Sequence, residues 1–293
     1  DSTGDWSSDV CSSDLVEALE IKAPLGLDAQ RSVNLTLEKK SDGSWGFELF
    51  STKKTDKSTS HATGIISLHN SSINYEQDEK DKWARISDLL EKDTDTEALR
   101  GTMVYKVFSK MAKYSSAYRG LRHLVGKGSE AAGDISMPAD DLDVMARTPN
   151  DNIADPLVMD NFLQVPGAFV HSLRATNEEE YDRDFSYICT GMGSVGPLNR
   201  LQGGEKYRAY TKIVREDNKM AVLDVFAFEQ QNRKIIWSAK GLKFSKIPRN
   251  SLAKVLAGAT PGMEFKEQPA GPPTAAVQSQ RSEERRVGKE CME

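Results

Sequence analysis

The residues best spaced for chemistry lie on a helix that opens at Pro156. Asp155 followed by Pro156 is the pairing of N-cap and first-turn residue with which helices begin, and PLVMDNFLQV then supplies apolar residues at helical spacing. Asp160 and Gln164 stand four apart and share a face, and His171 returns to nearly the azimuth of Asp160 if the helix continues. Pro166 removes a backbone donor and, with Gly167, predicts a kink before His171. A carboxylate beside Phe162, Leu163 and Val165 is placed for desolvation, which moves its proton affinity toward neutral pH and suits it to acid or base work. The same spacing also describes a solvated polar face.

Other chemistry finds less support. GMGSVG at 191–196 matches the dinucleotide fingerprint G-x-G-x-x-G, whose physics requires a following helix to present backbone N–H groups to a pyrophosphate. Pro197 and Gly203-Gly204 leave no room for that helix, so the segment reads as a turn. The four histidines, at 61, 69, 123 and 171, show no metal-ligand spacing and no H-E-x-x-H pattern. Cys189 in an apolar strand reads as a buried small residue, and Ser194 lacks the G-x-S-x-G elbow of hydrolases.

Composition bounds the rest. A chain of 293 residues with 38% hydrophobic and 28% charged residues can bury a sizeable core, and it contains no apolar run long enough to span a membrane. Lys plus Arg number 39 against 44 for Asp plus Glu, a net charge of -5 that argues against binding nucleic acid through phosphate neutralisation. Three cysteines make neither a disulfide framework nor a zinc site. DWSSDVCSSDL at 5–15 and RSEERRVGKEC at 281–291 both read as translations of the adapters used in short-read DNA sequencing. Residues 1–15 and 281–293 are therefore expected to be processing scars. Without them the body is close to neutral, and Cys189 is its single cysteine.

The body alternates between strand and helix signals. ALEIKA (18–23), SVNLTLEK (32–39), WGFELFST (45–52) and HATGIISL (61–68) predict an antiparallel meander with a turn at Asp42-Gly43. From Asp78 to Tyr118 the period turns helical, with Trp83, Ile86, Leu89 and Leu90 as one stripe and Val104, Val107, Phe108 and Met111 as another. A second β-rich region starts at His123, encloses the Pro156 helix, and resumes with strands at 185–190, 206–214, 220–229 and 234–247. A short helix near 250–257 precedes an Ala-, Pro-, Gly- and Gln-rich segment with the composition of a flexible linker.

A weak repeat joins the two β regions. HATGIIS resembles SAKGLKF and GFELF resembles VLDVF, and both matches fall at an offset of 176 to 177 residues. The alternative is convergent strand composition. If the repeat is real, the counterpart of the Pro156 helix falls ahead of residue 1, and the first unit is expected to be truncated at its N-terminus.

Three segments carry a family resemblance: KVFSKMAKYSSAYRGLRHLVGKGSEAAGDISMP, then DNIADPLVMDNFLQVPG, then FSYICTGMGSVGPL with the A-x-G strand near 239–242. In that order they resemble the product template domain of fungal non-reducing polyketide synthases, over most of residues 16–257. The most specific parts are YRG at 118–120 and D-x-x-x-Q at 160–164. The resemblance implies an α+β double hot-dog, dehydratase-like fold, two units each with a long helix wrapped by an antiparallel sheet. Its expected divisions are the C-terminal part of the first hot-dog at 16–77, a helical connector at 78–122, the second hot-dog at 123–257, and a linker toward an acyl carrier domain at 258–280.

The activity it implies is regioselective aldol cyclisation and aromatisation of a poly-β-keto chain held as a thioester on the carrier's phosphopantetheine. In the family a histidine of the first unit is the base and an aspartate of the second completes a dyad. The match places that aspartate on Asp160 and an assisting glutamine on Gln164. The family's histidine precedes the first unit's helix, so none of the four histidines here takes that role, and the fragment alone is expected to be inactive. The family carries an asparagine-like residue where His171 stands. No metal and no cofactor of the domain's own is implied. The partners implied are the carrier and other domains of the same cytoplasmic synthase and a second copy in a homodimer, with no nucleic acid and no membrane. Two other readings of the same fold stand beside it: a dehydratase acting on β-hydroxyacyl thioesters, and a noncatalytic acyl-binding module.

Overall fold

A computed structural model describes residues 15–26, 31–52, 58–67, 75–109, 113–137, 156–173, 185–196 and 206–259. The strands are β1 (Leu15–Ile21), β2 (Ser32–Lys39), β3 (Trp45–Thr52), β4 (Ser58–Ser67), β5 (Glu97–Arg100), β6 (Leu121–Lys127), β7 (Glu130–Ser136), β8 (Phe185–Gly196), β9 (Lys206–Glu216), β10 (Met220–Glu229) and β11 (Ile235–Pro248). The helices are α1 (Glu76–Ser87), α2 (Thr102–Phe108), α3 (Pro156–Ala168) and α4 (Arg249–Ala259). Among the described residues no helix is long and apolar enough to cross a membrane. Asp155, His69, Met111, residues 1–14 and residues 260–293 lie outside the described residues; Leu15, the last residue of the first adapter-like sequence, begins β1, and Gly258 and Ala259, expected to open the linker, close α4.

All eleven strands form one sheet in the order β2-β3-β4-β1-β8-β11-β10-β9-β7-β6-β5. The order contains its own repeat. Reading outward from the β1–β8 junction, β4, β3 and β2 on one side answer β11, β10 and β9 on the other. β4 and β3, which carry one copy of the sequence repeat, thus stand as counterparts of β11 and β10, which carry the other, and β7, β6 and β5 extend the second unit. β2, β3 and β4 form a meander as their alternation predicts, but β1 does not join it in sequence order. β1 pairs with the far side of β4 and with β8, which makes it the link between the units.

Two apolar layers flank the second unit. α3 lays Val158, Phe162 and Val165, and the residue that follows it lays Phe169, into a cluster with Tyr207, Leu223, Val225, Trp237 and Leu242. On the opposite face, Ile86 of α1 and Leu89 of the π-helical turn Asp88–Lys92 pack with Tyr210, Phe226 and Phe228. Covering both faces explains why β10 reads MAVLDVFAFE, apolar almost without alternation. In the first unit, by contrast, Val33, Leu35 and Leu37 of the edge strand β2 are each more than half exposed.

The structure departs from the sequence reading elsewhere too. Residues 78–118 are not helical throughout, because β5 separates α1 from α2 and pairs with β6, which itself starts at Leu121 rather than His123. Pro166, where a kink is expected, lies inside α3, which runs to Ala168 and gives way to a π-helical turn, Phe169–Leu173. GMGSVG is not a turn but the second half of β8, bonded to β1 on one side and β11 on the other. Its glycines are needed for closeness. A Cβ on Gly191 would lie 2.7 Å from the Leu19 carbonyl oxygen, so only glycine lets β1 approach there. Gly191→Val is expected to cost about 1–3 kcal/mol by overpacking this junction, read as a lower midpoint of thermal unfolding with faster amide exchange in β1. An unchanged midpoint would show that the junction yields freely.

Candidate active site

α3 forms because Pro156 suits a first helical turn and because Leu157, Val158, Phe162 and Val165 line one face that the sheet buries. Asp160, Asn161 and Gln164 face the segment between α2 and β6, which carries the 3-10 turn Ser116–Tyr118 and the YRG sequence. The two stretches singled out in the sequence thus meet in space. Gln164 Nε2 donates to the Tyr118 carbonyl at 2.8 Å and to Asp160 Oδ2 at 2.7 Å. The Gly120 N–H donates to Asn161 Oδ1 at 2.8 Å, while Asn161 Nδ2 donates to the Leu157 carbonyl of its own helix. A Cβ on residue 120 would sit 2.8 Å from Asn161 Oδ1, so the glycine of YRG is what lets the turn close onto α3. The arginine of YRG fixes the next piece, as Arg119 Nε donates to the Tyr114 carbonyl at 2.9 Å.

Around this contact stand four aromatic rings. Tyr114 lies 5.2 Å from Phe108, 6.0 Å from Tyr105 and 6.4 Å from Tyr118, centroid to centroid. The Asp160 carboxyl is pulled in two directions. Burial raises its pKa and the Gln164 amide lowers it, and burial wins, so the group holds its proton above the ordinary carboxylate range. Burial, reinforced by the Asp160 charge, pushes the Tyr114 phenol up to about 12. Tyr105 is also raised, by burial above all. Gln164 is 2% exposed, so the solvated-face reading fails for it. The site has the means to hold a carboxyl in a poorly hydrated aromatic setting with one oxygen fixed, and Oδ1 has no hydrogen-bond partner among the described residues.

The histidines are elsewhere. His171 does not return to the face of Asp160, because the π-helical turn changes the phase of the helix before it. Its Nε2 donates to the Tyr187 carbonyl at 2.8 Å, and burial lowers its pKa to about 4, so it is neutral at pH 7. His61 is 2% exposed between Ser51 and the Ala23 carbonyl, and His123 pairs with Arg100 and Asp134. Cys189 is partly buried against the α3 core, close to its sequence reading. No group of three His, Cys, Asp or Glu side chains among the described residues is placed to hold a metal ion. Tyr105, Tyr114 and Asn161 escaped the sequence reading. Tyr105 is hidden in the apolar stripe of α2, and the one available signal was three tyrosines close together at 105, 114 and 118.

No family model matches the chain. It is 29% identical over 275 residues to the 5-methylorsellinic acid synthase of Aspergillus terreus, a match covering 89% of this chain. It is 28% identical over 262 residues to the non-reducing polyketide synthase Preu3 of Preussia isomera, covering 87% of this chain. Its homologues are fungal non-reducing polyketide synthases. The chain spans only about a tenth of the length of these non-reducing synthases. Among solved structures it resembles the dehydratase domain of the CurJ module of curacin polyketide synthase, with a TM-score of 0.63 at 15% identity over 82% of this chain and 77% of the other. A trans-AT polyketide synthase dehydratase domain from Brevibacillus brevis gives 0.64 at 15% identity, over 82% and 79%. At that identity the likeness establishes the fold, a dehydratase-type double hot-dog. Synthase relatives and a dehydratase-like fold agree with the product template resemblance of the sequence.

Proposed function

We propose that this chain is the product template region of a non-reducing polyketide synthase and directs aldol cyclisation and aromatisation of a carrier-bound poly-β-keto chain. The observation that carries the reading is the meeting of YRG with the Asp160–Gln164 pair, which puts one desolvated carboxyl beside a group of aromatic rings. Two features of the comparisons support it. The relatives are non-reducing synthases, which favours a cyclase over a dehydratase of a reducing synthase. Among the fold neighbours, the Asp-to-Asn and the His-to-Phe mutants of the CurK dehydratase are both described as inactive, the pair of residue types expected of an acid–base dyad.

In this proposal Asp160 orients and tunes an imidazole supplied by synthase polypeptide outside the described residues, since His61, His123 and His171 are committed to other partners. The imidazole removes a proton from a carbon between two carbonyls, and the enolate carbon bonds to a third carbonyl carbon of the folded chain. That oxygen takes up a proton, and loss of water then makes the ring aromatic. The aromatic setting chooses which carbonyl is reached by holding the chain in one near-attack geometry. The phosphopantetheine thioester belongs to an acyl carrier domain of the same synthase, for which residues 258–280 are the linker, and no cofactor is assigned to this region itself.

The test is the complete synthase with Asp160→Asn, given its carrier-bound chain. A shift from one ring pattern to spontaneously cyclised products supports the reading. An unchanged product distribution overturns the cyclase assignment, and accumulation of an unreacted β-hydroxyacyl thioester would transfer it to a dehydratase.

A further inference from the structure

The Tyr105 hydroxyl occupies a position that the proposed chemistry does not yet use. It accepts the Leu121 N–H at 2.8 Å and donates to Gln164 Oε1 at 2.9 Å. A phenol has a single proton, and the Tyr118 carbonyl at 3.5 Å is a poorer acceptor, so the proton points at Gln164. That contact decides which way the amide faces. With Oε1 held by Tyr105, both N–H groups point at acceptors, the Tyr118 carbonyl and Asp160 Oδ2. A flipped amide would set its oxygen against a carbonyl and a carboxylate together. The result is a directed chain from the Leu121 N–H through the phenol and the amide to the carboxylate, in which each donor strengthens the next.

We propose that Tyr105 is a positioning residue that fixes the orientation of Gln164 and thereby the hydrogen bond that holds Asp160 Oδ2, leaving Oδ1 to meet its catalytic partner. The role rests on the function proposed for Asp160. Two facts set Tyr105 apart from a core tyrosine. Its hydroxyl is bonded at both lone pair and proton, and the Arg119 guanidinium lies 5.7 Å from its ring centroid, pinning the ring from the YRG side. The titratable groups facing Asp160 are Tyr105 from α2 and Tyr114 from the segment after it, whereas the charge of Arg122 on β6 acts on Tyr105.

The decisive measurement is the titration of the Asp160 carboxyl by carbon NMR in this chain, in four forms: parent, Tyr105→Phe, Gln164→Leu and the double variant. Gln164→Leu removes a donor to the charged form and moves the midpoint up. Tyr105→Phe is expected to move it in the same direction, and to move it no further when combined with Gln164→Leu. An unmoved midpoint in Tyr105→Phe, or an equal shift in both backgrounds, overturns the proposal. If Tyr105→Phe fails to fold because the Leu121 N–H loses its acceptor, 3,5-difluorotyrosine at 105 keeps both bonds and donates more strongly. The midpoint is then expected to fall with Gln164 present and to stay fixed in the Gln164→Leu background; no fall with Gln164 present overturns the proposal. In the complete synthase Tyr105→Phe is expected to slow ring closure about tenfold with KM nearly unchanged. Should Asp160→Asn leave the products unchanged, the cyclase reading fails while the NMR titration still judges the link from Tyr105 to Asp160.

Discussion

Under the cyclase role proposed above, Asp160→Asn is expected to slow ring closure in the complete synthase by about 10²–10⁴-fold, the range for loss of a positioned acid–base group. Asn keeps the shape of Asp, and its side-chain oxygen can still accept from Gln164 Nε2, so the contact between α3 and YRG survives. What is lost, on the proposed role of Asp160, is the charge that orients and stabilises an imidazolium. The pH profile carries the sharper signature. Burial raises the Asp160 pKa, so the rise in rate as the carboxyl ionises falls above the ordinary carboxylate range, and this limb is expected to vanish in Asp160→Asn. Stability should move the other way. A carboxyl that binds its proton more tightly when folded than when unfolded makes the native state less stable as pH rises through that range. The variant escapes this loss, so at pH 8 it is expected to melt no lower than the parent. A retained limb in the pH–rate profile, or a rate within twofold of the parent, would remove Asp160 from the chemistry.

How much of this could be read from sequence depended on whether the deciding contact was local. The alternation of SVNLTLEK and WGFELFST sets the faces of β2 and β3, and their boundaries are those read from the pattern. Asp160 and Gln164 pair four residues apart on one helix, a local relation, and Gln164 Nε2 bonds Asp160 Oδ2 as the spacing suggests. His171 shows where the local rule stops. Its expected azimuth assumed uninterrupted α-helical phase, and the π-helical turn from Phe169 changes that phase and delivers the imidazole to β8. Gly191 and Gly193 read in the sequence as part of a turn, whereas in the fold Gly191 faces the backbone of β1 and Gly193 that of β11. Without those partners, Gly-x-Gly reads as a turn. Tyr105 was illegible for a related reason. In an apolar stripe a tyrosine looks like core, and only the fold shows that its hydroxyl reaches Gln164, a residue on another helix.

Phe162→Ala should produce the largest loss of stability, about 3–5 kcal/mol, the cost of removing a buried aromatic ring and leaving a cavity. The ring is 0% exposed and meets Tyr207 edge-on at 5.3 Å and Trp237 at 5.5 Å, two of the largest fully buried side chains. Those rings are anchored on β9 and β11, so strand backbone would have to move before the space could close, and this places the cost toward the upper end of the range. Phe162 also lies two residues from Asp160, on the opposite side of α3. With the ring gone, the helix is free to settle toward the sheet and away from Tyr118, lengthening the Gln164 contacts that fix the carboxyl. Chemical denaturation should therefore show a lower midpoint with an unchanged slope, and the Asp160 titration should move up as its donor recedes. A stability loss with no movement of the titration would mean that α3 is held in place by Asn161 and Gln164 against YRG rather than by its packing on the sheet.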